Sequence, residues 1–158
     1  MRMDSQRVEI IGRNWLVTEL YRCGLEVARP ERDHGIDLIA FLDLDKSGRF
    51  IGRPIQMKAS SAQSFGVWRK LKKFPGLLIA YVWNLEKPLE TACYCLTYDE
   101  ALAVADLMKW TTTKSWREKD TYVTNSPSQQ LVSALDQYKM TADRWRSKLS
   151  GAHRDGKL

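Results

Sequence analysis

The sequence predicts a single α/β domain in which a central mixed β-sheet is flanked by helices. Three observations carry that expectation. Residues 5 to 23 repeat apolar positions at helical spacing (Val8, Ile11, Trp15, Leu16, Leu20 and Cys23), and Gly24 follows as a stop. Short apolar runs of strand length recur after it; Leu77 to Trp83 reads as a fully buried central strand. The 158 residues are 44% hydrophobic and 28% charged, which suits one compact domain with an ordinary core. The domain is expected over residues 1–149, with 150–158 as a flexible C-terminal tail.

Each element has its own signal. Leu25 to Ala28 is a short strand ended by Pro30, and a charged loop, Glu31 to Gly35, follows. Ile36 to Leu42 is an apolar strand, Asp45 to Gly48 a turn, and Phe50 to Ala59 the returning strand. Gly52 and Pro54 point to a bulge or an unpaired position in its first half. Residues 60 to 76 are polar and basic, with a short helix around Trp68 to Lys73. After the buried strand come a strand at Ala92 to Leu96 and a helix over 99 to 110, capped by Thr97 or Asp99. An irregular loop over 109 to 119, a strand at Thr121 to Thr124 and a last helix from Gln129 into the 140s complete the chain.

Composition excludes several classes. The three cysteines, Cys23, Cys93 and Cys95, form no paired framework, which indicates reduced thiols in a reducing compartment. Cys93 and Cys95 share one face of a strand and read as packing residues; with only two histidines, a zinc site lacks ligands. No apolar run approaches the roughly 20 residues that cross a bilayer, and the N-terminal residues do not resemble a signal peptide, so a cytoplasmic location with no membrane partner is expected. The formal net charge of +6 favours a polyanionic partner.

Asp37 is the residue that suggests chemistry. It interrupts an apolar strand, where an unpaired carboxylate is costly to bury. If the hairpin turns between Lys46 and Ser47, opposed residues have numbers summing to 93, which sets Gln56 across from Asp37. Lys58, two residues on, points to the same face because strand side chains alternate. A carboxylate, an amide oxygen and an ammonium then share one patch. Oxygen ligands with room for waters suit Mg²⁺, with Mn²⁺ as a substitute, and a lysine beside them can orient water and stabilise charge on phosphorus.

The run His34-Gly35-Ile36-Asp37-Leu38-Ile39-Ala40, followed by Pro54-Ile55-Gln56-Met57-Lys58-Ala59-Ser60, resembles the PD-(D/E)XK nuclease superfamily. In the variant concerned, a Gly-x-Asp-Leu strand precedes a Gln-x-Lys strand. The resemblance spans residues 8 to 140 or so and implies a restriction-endonuclease-like or Holliday-junction-resolvase-like fold. It also implies Mg²⁺-dependent hydrolysis of DNA phosphodiester bonds. By similarity, Asp37 is the main metal ligand, Gln56 replaces the usual acidic ligand, and Lys58 is the catalytic lysine. Members often carry a glutamate on the opening helix just after a glycine, whereas here Gly12 is followed by Arg13. Glu9, one turn earlier on the face of Arg13, is the favoured third ligand; Glu19, on another face, is the alternative.

Further candidates surround this patch. Arg69, Lys70, Lys72 and Lys73 follow the catalytic strand and, with Arg53 and His34, are expected to meet the phosphate backbone. His34 also reads as a plain loop residue, and the basic run as a solvated helix face. Trp110, Trp116 and Trp145 read as packing residues. No sequence-reading module is evident, so base selectivity would need loops, a homodimer or a partner chain. The competing expectation is a catalytically inactive relative that binds nucleic acid or a protein through the same face.

Overall fold

A computed structural model describes residues 3–42 and 50–151. It shows a single-domain α/β fold with a five-stranded mixed sheet flanked by helices. The expected turn at 45–48 and residues 152–158 of the expected tail lie outside the described residues, whereas residues 150 and 151 end the last helix and cap it.

The chain opens with helix α1, Ser5–Arg22, whose N-cap Asp4 accepts a hydrogen bond from the N–H of Arg7 at 2.9 Å. Its buried stripe is Val8, Gly12, Leu16 and Leu20. Ile11, expected in that stripe, is 40% exposed. The stripe advances by four because Gly12 brings the helix backbone onto the sheet. A Cβ on Gly12 would lie 2.7 Å from the Ala59 Cβ, inside any tolerable contact.

Four strands follow, β1 (Leu25–Ala28), β2 (Leu38–Leu42), β3 (Gly52–Ala59) and β4 (Phe65–Trp68). After a 3₁₀ turn at Arg69–Lys73 come β5 (Leu78–Trp83) and β6 (Ala92–Thr97). Helix α2 (Tyr98–Leu107) starts from a capping box between Thr97 and Glu100. Then follow α3 (Lys114–Lys119), β7 (Thr121–Thr124), α4 (Gln129–Leu135) and α5 (Ala142–Ser150). Two elements differ from expectation. The loop at 109–119 contains α3, and the last helix is two, separated by a 3₁₀ turn at Asp136–Tyr138.

The main sheet has the order β1-β2-β3-β5-β6. All its pairings are antiparallel except β3–β5, which is parallel. β4 and β7 form a separate two-stranded ribbon. Thr121–Thr124 was expected as a strand, but its partner β4 hid inside a stretch that reads as polar and basic.

The β2–β3 register is the expected one: Leu38 opposes Ile55 and Phe41 opposes Gly52, each pair summing to 93. No bulge interrupts it at Gly52 or Pro54. Pairing with β5 begins only at Ile55, so Pro54, which has no N–H, sits where β3 has a neighbour on one side alone.

Alternation along β5 divides the interior in two. Leu78, Ala80 and Val82 pack with Leu16 and Leu20 of α1 and Trp145 and Leu149 of α5. Ile79, Tyr81 and Trp83 pack on the other face with Phe65, Val67 and the residues of α2. Every residue of β5 is buried, as its apolar run predicts. Trp110, Trp116 and Trp145 are packing residues, 7%, 5% and 2% exposed. Cys93 and Cys95 lie in the same cluster, and burial pushes the Cys95 thiol up to about 12, leaving it an inert apolar group. Among the described residues no helix is long and apolar enough to cross a membrane.

Candidate functional site

The loop before β2 carries Asp37. The backbone N–H of Asp37 donates to the Ile55 carbonyl at 2.9 Å, one position short of the ladder pairing with Gln56 that the hairpin count gives. The regular strand therefore ends at Leu38. The Asp37 side chain uses the released position: its Oδ2 accepts the Met57 N–H at 2.7 Å. That bond fixes the carboxylate against β3 and leaves Oδ1 for another partner.

Gln56 and Lys58 project from β3 on one face, beside Ile79 and Tyr81 of β5. With Asp37 they line a cavity of about 360 Å³. Gln56 Oε1 is buried and has no hydrogen-bond partner among the described residues. An orphaned buried acceptor costs on the order of 1–3 kcal/mol, so this oxygen is held ready for a donor or a cation. Lys58 Nζ lies 4.4 Å from the centre of the Trp68 ring, a cation–π contact.

Charge in this cavity is shifted towards neutrality. Burial is the main cause of the rise of the Asp37 carboxyl above its ordinary value; the Met57 N–H opposes it, and the negative charges of Asp33 and Glu9 add to it. Burial also holds the Lys58 ammonium below its usual range, and Lys70 pushes the same way. Desolvation thus outweighs the mutual attraction of Asp37 and Lys58. Both charged groups are thus buried with incomplete pairing.

The helix carboxylate is only peripheral. Helix α1 covers the opposite face of the sheet, so its side chains meet the cavity only where its first turns overhang the end of β3. Glu9 reaches the lining there, but it is exposed and ion-paired with Arg13. Glu19 bonds Arg22 at 2.8 Å and does not line the cavity. Sequence reasoning missed Asp33, which lines the cavity through a tight turn in which its Oδ1 accepts the Gly35 N–H at 2.9 Å. The signal was an Asp two residues before a glycine. Trp68 was missed in this role because its strand, β4, was not recognised.

The expected phosphate contacts divide. Lys70 is exposed and close enough to act on Lys58. Arg69 is engaged by Asp120 at 2.8 Å and lies over the Trp116 ring. Lys73 is exposed and caps the Phe74 ring at 5.0 Å. His34 is exposed and does not line the cavity. Arg53 and Lys72 line a different cavity.

Among the described residues no group of three or more His, Cys, Asp or Glu side chains gathers as a metal cage. Asp37 Oδ1 and the orphaned Gln56 oxygen nevertheless fit Mg²⁺, which takes one or two protein oxygens and keeps its waters. No protein family matches the chain, and neither a curated protein nor a solved structure similar to it was found.

Proposed function

We propose that the protein is a Mg²⁺-dependent endodeoxyribonuclease of the PD-(D/E)XK type. The observation that carries the reading is the meeting of Asp37, Gln56 and Lys58 in one cavity, with the Gln56 oxygen buried and unpartnered. Asp37 and Gln56 would hold the ion, and Glu9 would contribute through ordered water at the rim. The bound ion would neutralise phosphate charge and make a water more acidic. Lys58, steadied by the Trp68 ring, would donate to the non-bridging oxygen on which charge develops. Lys70, Lys72 and Lys73 stand exposed on the adjoining turn and would carry the DNA backbone.

Incubation with supercoiled and branched DNA in Mg²⁺ or Mn²⁺ tests the reading. Asp37→Ala and Lys58→Ala should each lower cleavage by roughly 10²–10⁴-fold. Cleavage that survives both substitutions defeats it. In crystals soaked with Mn²⁺, the ion should sit between residues 37 and 56.

The second reading is an inactive relative that binds nucleic acid or a protein partner. The pairing of Glu9 with Arg13, which occupies the one carboxylate that α1 offers, favours it. Salt-sensitive DNA binding with no cleavage in any divalent cation would select it.

A further inference from the structure

At the opposite end of β3 lies a cavity of about 480 Å³, larger than the first. Arg53, at the start of β3, and Lys58, near its end, are five residues apart, about 16 Å along the strand. The two cavities are therefore distinct. The size suits a ligand of drug-like dimensions.

One wall is cationic and prepared. Arg53 Nε donates to the Leu149 carbonyl at 3.2 Å. Its guanidinium then lies over Gly76 and Gly151, both with φ +70. A Cβ at Gly76 would stand 3.1 Å from Nη1, and one at Gly151 would stand 2.9 Å from Nη2. The two glycines leave a slot that the guanidinium fills, so its orientation is fixed before any ligand arrives. Lys72 lines the same cavity and forms no ion pair among the described residues. The charge of Lys148 is already matched by its buried bond to Glu100.

The other wall is apolar and aromatic, with Phe74, Leu77 and Tyr98. Asp99 stands beside Tyr98, exposed and without an ion pair among the described residues. A flat ring against Tyr98 could donate an amino hydrogen to Asp99 while an attached anion met Arg53 and Lys72. A nucleoside monophosphate has that pattern of ring, donor edge and phosphate.

We propose that this second cavity binds a nucleoside monophosphate unit, with its phosphate on Arg53 and Lys72 and its base along Phe74 and Tyr98. The unit could be a free nucleotide or an unpaired nucleotide of a DNA strand. The turn at Arg69–Lys73 overlooks both cavities, since Lys70 acts on Lys58 and Lys72 lines the second. The free-nucleotide arm does not depend on any hydrolysis at the first cavity.

The test is calorimetric titration of the full chain with deoxyadenosine 5′-monophosphate, deoxyadenosine and inorganic phosphate, followed by competition with duplexes. The monophosphate should bind saturably, with the nucleoside and phosphate each at least about tenfold weaker because each lacks one half of the recognition. Lys72→Ala, an exposed change that leaves folding intact, should weaken the monophosphate several-fold, and Arg53→Met should weaken it further. If Arg53→Met does not fold, Arg53→Lys replaces it and should also bind more weakly, since the fork that fills the slot is lost. Displacement of the monophosphate by a duplex with a single-stranded overhang, but not by its blunt counterpart, identifies the strand as the source. Failure of both duplexes to displace it identifies the free nucleotide. The proposal is overturned by absence of saturable binding, or by binding that Lys72→Ala and the Arg53 variants leave unchanged.

Discussion

Asp37 and Lys58 show what burying charge in a cavity costs at the scale of single residues. The Asp37 carboxyl titrates above its ordinary 3.8 in the folded chain, so the folded state holds that proton more tightly than the unfolded state. The associated stability is complete below pH 3.8 and is lost as pH rises through the shifted value. Asp37→Asn keeps an acceptor for the Met57 N–H and removes the charge. In chelator, the variant should therefore melt above the wild type at neutral pH, and the gap should close as pH falls towards 3.8. Thermal melts across that range check it; a variant that melts lower at neutral pH contradicts the account. The trio itself was legible in the sequence, because alternation in β3 and a hairpin count suffice to bring 37, 56 and 58 together. Asp33 and Trp68 were not, since each reaches the cavity through a turn or a strand pairing that local pattern does not encode.

Among elements, the contact of α1 with β3 is the tightest constraint on the site. Gly12 allows the helix backbone to rest on Ala59, the residue after Lys58. Gly12→Val would place carbon where only 2.7 Å is open and should destabilise the fold by roughly 1–3 kcal/mol. Because the strain falls on β3, the cleavage proposed above should drop in the same variant even at temperatures where it remains folded. Denaturant unfolding combined with assays well below the melting point checks both parts. The sequence announced α1 through its periodicity, yet it misassigned Ile11, since an apolar residue one step from a glycine-centred stripe looks the same as one within it. Long-range pairing defeated the reading of β4, because Phe65–Trp68 becomes a strand only through β7, more than fifty residues later in the chain. In the sequence Arg144 and Arg146, beside Trp145, read as a solvated basic face, and both are exposed. They also tie elements together, since Arg146 Nε bonds the Cys23 carbonyl at 2.9 Å and Arg144 bonds the Lys139 carbonyl at 2.7 Å, contacts that no local pattern reveals.

For the molecule as a whole, a net charge of +6 favours polyanionic partners, and the salt dependence of a nucleic-acid complex follows from the phosphates it contacts. If the turn after β4 carries the DNA backbone, replacing Lys70, Lys72 and Lys73 together by Ala should flatten the slope of log affinity against log salt by roughly 2–3. Binding isotherms at several salt concentrations read that slope directly. An unchanged slope would move the contact elsewhere on the surface. The parallel pairing of β3 with β5 has a separate consequence. The chain must travel between those strands through residues 60–77, and that passage delivers Ser64 and Trp68 to the cavity that β3 has already begun. Severed within this passage, the polypeptide falls into one piece bearing Asp37, Gln56 and Lys58 and another bearing the wall that confines them. Neither piece holds the whole cavity alone, so the topology makes the site depend on two halves of the chain coming together.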